Sequence, residues 1–237
     1  MTERSPMLDG LKKWLKSKER AIRTSFGDDI STPEKRRQAK WHFHLFDHAW
    51  LRTFWTNFDR VAEGVYRSNH PGPERLKKYK AMGITTVLNL RGQESGFSPW
   101  LFEEEACREL GLNLVVAKIY ARRPATREEM LNLIHTLKTI DKPFVMHCKS
   151  GADRAGLASV LYKLIVEKSS VEEARKHLSP RYLHLKWTKT GVCDHIIDMW
   201  EADHIATGIG AEEWFLTRYD PAEVARSFEA RSRKEAA

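Results

Sequence analysis

Apolar positions follow two different rhythms along this chain, and the change between them divides it. In "MLDGLKKWLKSKERAI" Leu8, Leu11, Trp14, Leu15 and Ile22 gather near one helical face, with lysines and arginines opposite. That is the 3.6-residue spacing of an amphipathic helix. "GDDISTPEKRRQ" breaks the pattern and offers a second helix start. There Ser31 and Glu34 have capping-box spacing, and Pro33 suits a first helical turn. The aromatic-dense "WHFHLFDHAWLRTFW" follows and reads as a segment that packs onto the main body.

From Asp59 onward short apolar runs alternate with helical patterns. "RVAEGVYRSNHPG" predicts a short strand ending in a turn, and "PERLKKYKAMG" a helix stopped by Gly83. "ITTVLNLRG" is a buried strand, "PWLFEEEACRELG" a helix with another glycine stop, and "LNLVVAKI" a strand. "TREEMLNLIHTLKTID" is a helix capped by Thr126, and "KPFVMH" is a further strand. "RAGLASVLYKLIVEK", "SVEEARKHL" and "DHIIDMWEADH" predict helices, and "DPAEVARSFEARSRKEAA" a polar helical tail. This alternation predicts an α/β fold with a central, mostly parallel sheet flanked by helices. The expected organisation is a basic, aromatic-rich helical extension over 1–58 and one domain with C-terminal helices over 59–237.

Composition narrows the function classes. With 237 residues and 41% hydrophobic positions the chain buries a real core and is not a disordered tract. A net charge of +8 favours anionic partners without choosing among phosphorylated substrates, nucleic acid and acidic lipid. No nucleic-acid-binding module is recognisable, so charge alone does not support that partner. The basic amphipathic start is compatible with a membrane surface, but docking on its own domain is the preferred reading. His42, His44 and His48 invite a metal reading, yet no matched carboxylate or cysteine accompanies them, so no metal is expected. Cys107, Cys148 and Cys193 are too few and too scattered for a disulfide framework. A thiol in a polar turn is best kept reduced, and no stretch is long enough to span a bilayer, so a cytoplasmic location is expected.

The candidate chemistry lies in "FVMHCKSGADRAGLAS", residues 144–159. In α/β sheets ligands bind beyond the carboxyl ends of strands, where the chain enters the next helix. Backbone N–H groups of such a turn converge on an anion. The same positive field favours the thiolate of Cys148. Gly151 permits backbone angles that other residues resist, and Arg154 offers a planar fork matching two phosphate oxygens.

His147, Cys148, Gly151 and Arg154 fill the fixed positions of an H-C-x5-R signature, and here the chain resembles the cysteine-based phosphatases of the protein tyrosine and dual-specificity group. "VYRSNHPGPERLKKYKAMGITTVLNLRG" and "YLHLKWTKTGVCDH" are similar to segments of the compact bacterial branch, so the resemblance covers about residues 59–200. It implies a phosphomonoester hydrolase without cofactor. Cys148 would attack phosphorus, while Arg154 and the backbone of Lys149, Ser150, Gly151 and Ala152 hold the phosphate oxygens. His147 would orient the loop, and Lys149 would suit strongly anionic substrates.

Two positions depart from that pattern. These phosphatases carry a general-acid aspartate on a separate loop, whose counterpart here is "IYARRPATREEM"; it has none, and neither does the whole span from Arg91 to Ile140. The replacements are Asp153 inside the loop, Glu94 in "RGQESGFSP" and Glu128 in the first turn of its helix. The alternative role of Asp153 is to cap the following helix. The second departure is Ala155, where the family has a hydroxyl that stabilises the departing thiolate; Ser150 is the candidate substitute. Arg122, Arg123 and Arg127 surround the acid-less loop as candidate substrate contacts. The expected substrates are phosphotyrosine or dual-specificity phosphoproteins, with a phosphoinositide phosphatase and a phosphate-binding pseudophosphatase as alternatives.

Overall fold

Where the sequence expects one strand, "RVAEGVYRSN" forms two. The computed structural model describes residues 28–45, 51–93 and 97–235; the predicted helix over Leu8–Ile22, together with His48 and Glu94, falls outside them. β1 (Asp59–Ala62) and β2 (Val65–Asn69) pair antiparallel as a hairpin, turned at Gly64 with φ +69°. The chain reverses there because glycine adopts the left-handed region without a Cβ clash.

The other strands are β3 (Thr86–Asn89), β4 (Asn113–Val116) and β5 (Phe144–Cys148), joined by helices α3 (Pro73–Ala81), α4 (Ser98–Leu110) and α5 (Arg127–Thr139). The strand order is β1-β2-β5-β3-β4. β5 runs parallel to both neighbours, as does β3 to β4, so all but the hairpin edge is parallel. Every residue of β5 is buried, as a strand covered on both faces requires.

The two faces use alternate residues of β5. Phe144, Met146 and Cys148 face a core shared with α5, with α6 (Asp153–Ile165), and with the later helices α8 (Val192–Thr207), α9 (Ala211–Thr217) and α10 (Pro221–Glu235). Val145 joins the opposite core, with Leu76 and Tyr79 of α3 and Ala106 and Cys107 of α4. Between α6 and α8 lie α7 (Val171–Arg175) and single 3-10 turns at Pro180–Tyr182 and Lys189–Gly191. The Thr126 cap forms as a complete capping box with Glu129.

Contacts divide the chain into two compact units: the part up to Phe54 together with 94–105, and Trp55–Gln93 together with Ala106 onward. In the first, α1 (Pro33–Leu45) packs Ala39 and Phe43 with Phe102 and Ile30, and a short helix α2 (Leu51–Phe54) follows. Arg36 forms a forked pair with Glu105 at 2.6 and 2.7 Å. The α1 cap is Thr32, whose hydroxyl accepts from Lys35 N at 3.2 Å, and not the expected Ser31. Ser31 instead donates its N–H to Asp29, which closes the preceding turn. His42 is buried against Ser98 Oγ at 2.7 Å and His44 is exposed. No helix among the described residues is long and apolar enough to cross a membrane.

Candidate active site

Cys148 ends the central strand, paired in register with Asn69 of β2, and the next turn leads straight into α6. This turn is shaped from outside. The Lys149 carbonyl accepts from His70 N at 3.2 Å, and the Ser150 carbonyl from Asn57 Nδ2 at 2.9 Å. The Gly151 and Ala152 carbonyls accept from Arg67 Nη2 at 2.5 and 3.2 Å. Four successive carbonyls are thus engaged on the outer side of the loop. A peptide whose C=O is fixed outward directs its N–H the other way, which builds an anion nest at the start of a helix. Gly151 sits at φ +73°, and a Cβ there would come within 2.7 Å of Asn69 N. Only glycine meets both the angle and the close approach.

Arg67 is fully buried at the centre of β2, followed by the buried polar residues Ser68 and Asn69. Its guanidinium also donates to the His177 carbonyl at 2.7 Å and lies 3.7 Å from the centre of the Tyr182 ring. Burial lowers its pKa to about 10, opposed by attraction to Tyr182 and Cys148. Tyr182 donates to Asp59 at 2.5 Å, and its carbonyl accepts from Asn57, which ties the hairpin and the post-α7 turn to the loop. Both terminal nitrogens of Arg67 donate to the loop and its surroundings, while its buried Nε has no hydrogen-bond partner among the described residues.

Arg154, in the first turn of α6, has a buried Nε with no hydrogen-bond partner. An orphaned guanidinium N–H beside an anion nest is suited to accepting an oxyanion. His147 is buried on the opposite strand face from Cys148, edge-on to His70 at 4.9 Å between ring centres. Lys149 is half-buried. Ser150 Oγ accepts from Ala152 N at 3.3 Å, a bond internal to the loop, and Ala155 is fully buried in the core.

The acid candidates separate clearly. Glu128 is exposed, and hydrogen bonds from its own backbone N–H and from the Thr126 side chain hold its carboxyl below the usual range, which disfavours proton donation. Glu94 lies outside the described residues. Asp153 opens α6, and its Oδ1 lies 2.8 Å from His184 Nδ1. Asp153 lines an open cleft of about 380 Å3 together with Arg122, Lys189, Leu183 and Leu185. Of the three loop arginines, Arg127 is committed to the Tyr219 carbonyl at 2.7 Å and Arg123 is stacked on Tyr120 at 3.3 Å, which leaves Arg122 on the cleft.

Residues 56–172 match the tyrosine phosphatase family. This segment belongs to the tyrosine phosphatase family. The chain is 26% identical over 111 aligned positions to the inositol diphosphatase DSP3 of Arabidopsis thaliana, covering 43% of this chain. It spans half the length of that curated relative. Among solved structures it is similar to P. aeruginosa TpbA at 20% identity and TM-score 0.44, covering 52% of this chain and 72% of that one. It is also similar to the core catalytic domain of the PP-IP phosphatase SIW14 from S. cerevisiae, at 18% identity and TM-score 0.48, covering 64% and 91%.

The tyrosine phosphatase segment holds Asn57, Arg67, the whole loop and the start of α7. Tyr182, His184 and Asp194 lie beyond it. None of these five supporting residues is singled out by sequence patterns. One signal was available: an arginine at the centre of the sheet strand "VYRSN" must find acceptors when that strand is buried.

Proposed function

We propose that this chain is a cysteine-dependent phosphomonoester hydrolase that works through a phosphocysteine, on phosphotyrosine or with dual specificity for phosphoproteins. The observation that carries the reading is the outward-pinned loop, with four engaged carbonyls between Cys148 and the unpartnered Arg154 Nε. Membership of residues 56–172 in the tyrosine phosphatase family supports it.

In the first step the Cys148 thiolate attacks phosphorus, a P–S bond forms, and the P–O bond to the leaving group breaks. Asp153 delivers a proton to the leaving oxygen. Loop N–H groups and Arg154 hold the non-bridging oxygens through the transition state, where such stabilisation counts most. In the second step water attacks the phosphocysteine, its proton returns to Asp153, and the thiolate is released with inorganic phosphate.

A second reading concerns the substrate. The name of the Arabidopsis relative supports a polyanionic inositol phosphate, and Arg122 and Lys189 on the cleft beside Asp153 favour an acceptor with additional charge. Turnover of p-nitrophenyl phosphate by the intact chain, lost in Cys148→Ser, is the expected result. Parallel rates on phosphotyrosine peptides, phosphoserine peptides and inositol phosphates then rank the two readings. Phosphopeptide binding without any turnover would leave a phosphate-binding interaction module instead.

A further inference from the structure

We infer that His184 is a positioning residue for Asp153: clamped between Asp153 and Asp194, it fixes one oxygen of Asp153 and sets how readily the other releases a proton. This rests on the phosphatase reading and adds to it a residue outside the segment that the family matches.

The geometry is a buried row of three groups. His184 Nδ1 lies 2.8 Å from Asp153 Oδ1, and Nε2 lies 2.6 Å from Asp194 Oδ2. The histidine side chain is 1% exposed, against 17% for Asp153 and 15% for Asp194, so the ring itself does not reach a substrate. Asp153 Oδ2 makes no protein hydrogen bond among the described residues, and Asp153 is one of the residues lining the cleft. One oxygen is therefore committed and the other is available.

Local chain geometry delivers the ring to this place. Leu183 adopts the left-handed region at φ +58°, ending the Pro180–Tyr182 turn, so His184 is buried while Leu183 and Leu185 border the cleft. The following turn closes on Gly191, where a Cβ would come within 1.9 Å of the Lys186 carbonyl oxygen. That tight closure starts α8 and brings Asp194, in its first turn, behind the imidazole.

Charge follows from the row. Burial works against an imidazolium, but the hydrogen bonds to Asp153 and Asp194 outweigh it and raise the His184 pKa to about 9. The neighbouring Cys193 thiol is buried and pushed well up, so it adds no charge. The remaining charges are Arg154, one residue on in α6, and Arg122 and Lys189 across the cleft.

The two ends of the row give opposite expectations. His184→Gln removes a positive charge next to Asp153 and makes its carboxyl hold the proton more tightly. Asp194→Asn removes a negative charge and makes it release the proton more readily. In kcat–pH profiles with phenyl phosphate, the limb on which activity falls as the acid ionises moves up in His184→Gln and down in Asp194→Asn, each by about half a pH unit or more. KM changes little in either variant. Shifts of the same sign, or an unmoved limb, overturn the proposal.

The Asp153 carboxyl carbon, followed by NMR in the intact chain, shows the same opposed shifts whether or not the protein turns over phosphate. Failure of the phosphatase reading alone therefore leaves this result standing. Should His184→Gln not fold, the imidazole nitrogens of the unsubstituted protein decide: both carry protons at neutral pH, and a ring with one bare nitrogen overturns the proposal.

Discussion

Arg67 Nη2 lies 2.5 Å from the Gly151 carbonyl and 3.2 Å from that of Ala152, so a fully buried cation braces the outer rim of the Cys148 loop. Replacing it with methionine leaves these carbonyls and that of His177 without their donor. Unmet buried acceptors cost about 1–3 kcal/mol each, so Arg67→Met is expected to lose about 3–5 kcal/mol in chemical denaturation. Arg67→Lys keeps the charge but not the fork that spans both loop carbonyls. It is expected to fold and to lose about 10–100-fold in kcat/KM, because a slackened loop misplaces the phosphate. Full activity in Arg67→Lys would show that the loop holds its shape without the brace.

This relationship also marks the limit of what sequence patterns reveal. β3, β4, β5 and the helices between them follow from apolar periodicity and glycine stops, since those signals act within a few residues. The run from His147 to Arg154 is similarly local: strand, turn, glycine and helix are adjacent. Arg67, Asn57 and His184 act across 84, 93 and 31 positions of chain, and no spacing rule links them to the loop. The hairpin was hidden because Gly64 divides a single β-like run, and only pairing distinguishes two strands from one. The Ser31 and Thr32 caps differ by one position, which side-chain geometry decides and sequence order does not.

Two roles are separable for Asp153: the proton donor proposed above, and a partner of His184 at the start of α6. If it donates, Asp153→Asn slows phosphate esters with poor leaving groups far more than activated ones, by about 100-fold for phenyl phosphate. Esters of strongly acidic phenols, which depart without a proton, are expected to change little. An equal loss across the series would assign Asp153 to architecture. Rates across a set of substituted phenyl phosphates distinguish the two.

Ala155 occupies the position after the arginine with a methyl group buried in the core, and Ser150 Oγ is engaged with Ala152 N. At this position Ala155 has no hydroxyl to donate to a thiolate leaving the proposed phosphoenzyme. One missing hydrogen bond to a charged group is worth about 1–3 kcal/mol, which corresponds to slow breakdown of the phosphocysteine. Rapid-mixing experiments are expected to show a burst of phenol before steady turnover. Ala155→Ser is expected to shrink the burst and raise the steady rate about tenfold. Product release that is linear from the start would remove phosphoenzyme breakdown as the slow step.

Two buried histidines titrate in opposite directions and shape stability around neutrality. His184 has its pKa raised from the ordinary 6.5 to about 9, by Asp153 and Asp194 against the pull of burial. Its contribution is fully present below pH 6.5 and is lost as pH rises toward 9, because the folded state holds a proton that the unfolded chain has released. His177 is lowered from 6.5 to about 4, first by burial and then by Arg67. Its contribution is present above pH 6.5 and is lost as pH falls toward 4, because the unfolded chain binds the proton that the folded state refuses. Each shift corresponds to about 3 kcal/mol across its window. Unfolding free energy is therefore expected to peak near pH 6.5 and decline on both sides. Denaturation curves taken from pH 4 to 9 check this directly. His184→Gln flattens the alkaline side alone and His177→Gln the acid side alone. If either substitution alters both sides equally, the limbs do not belong to these two rings.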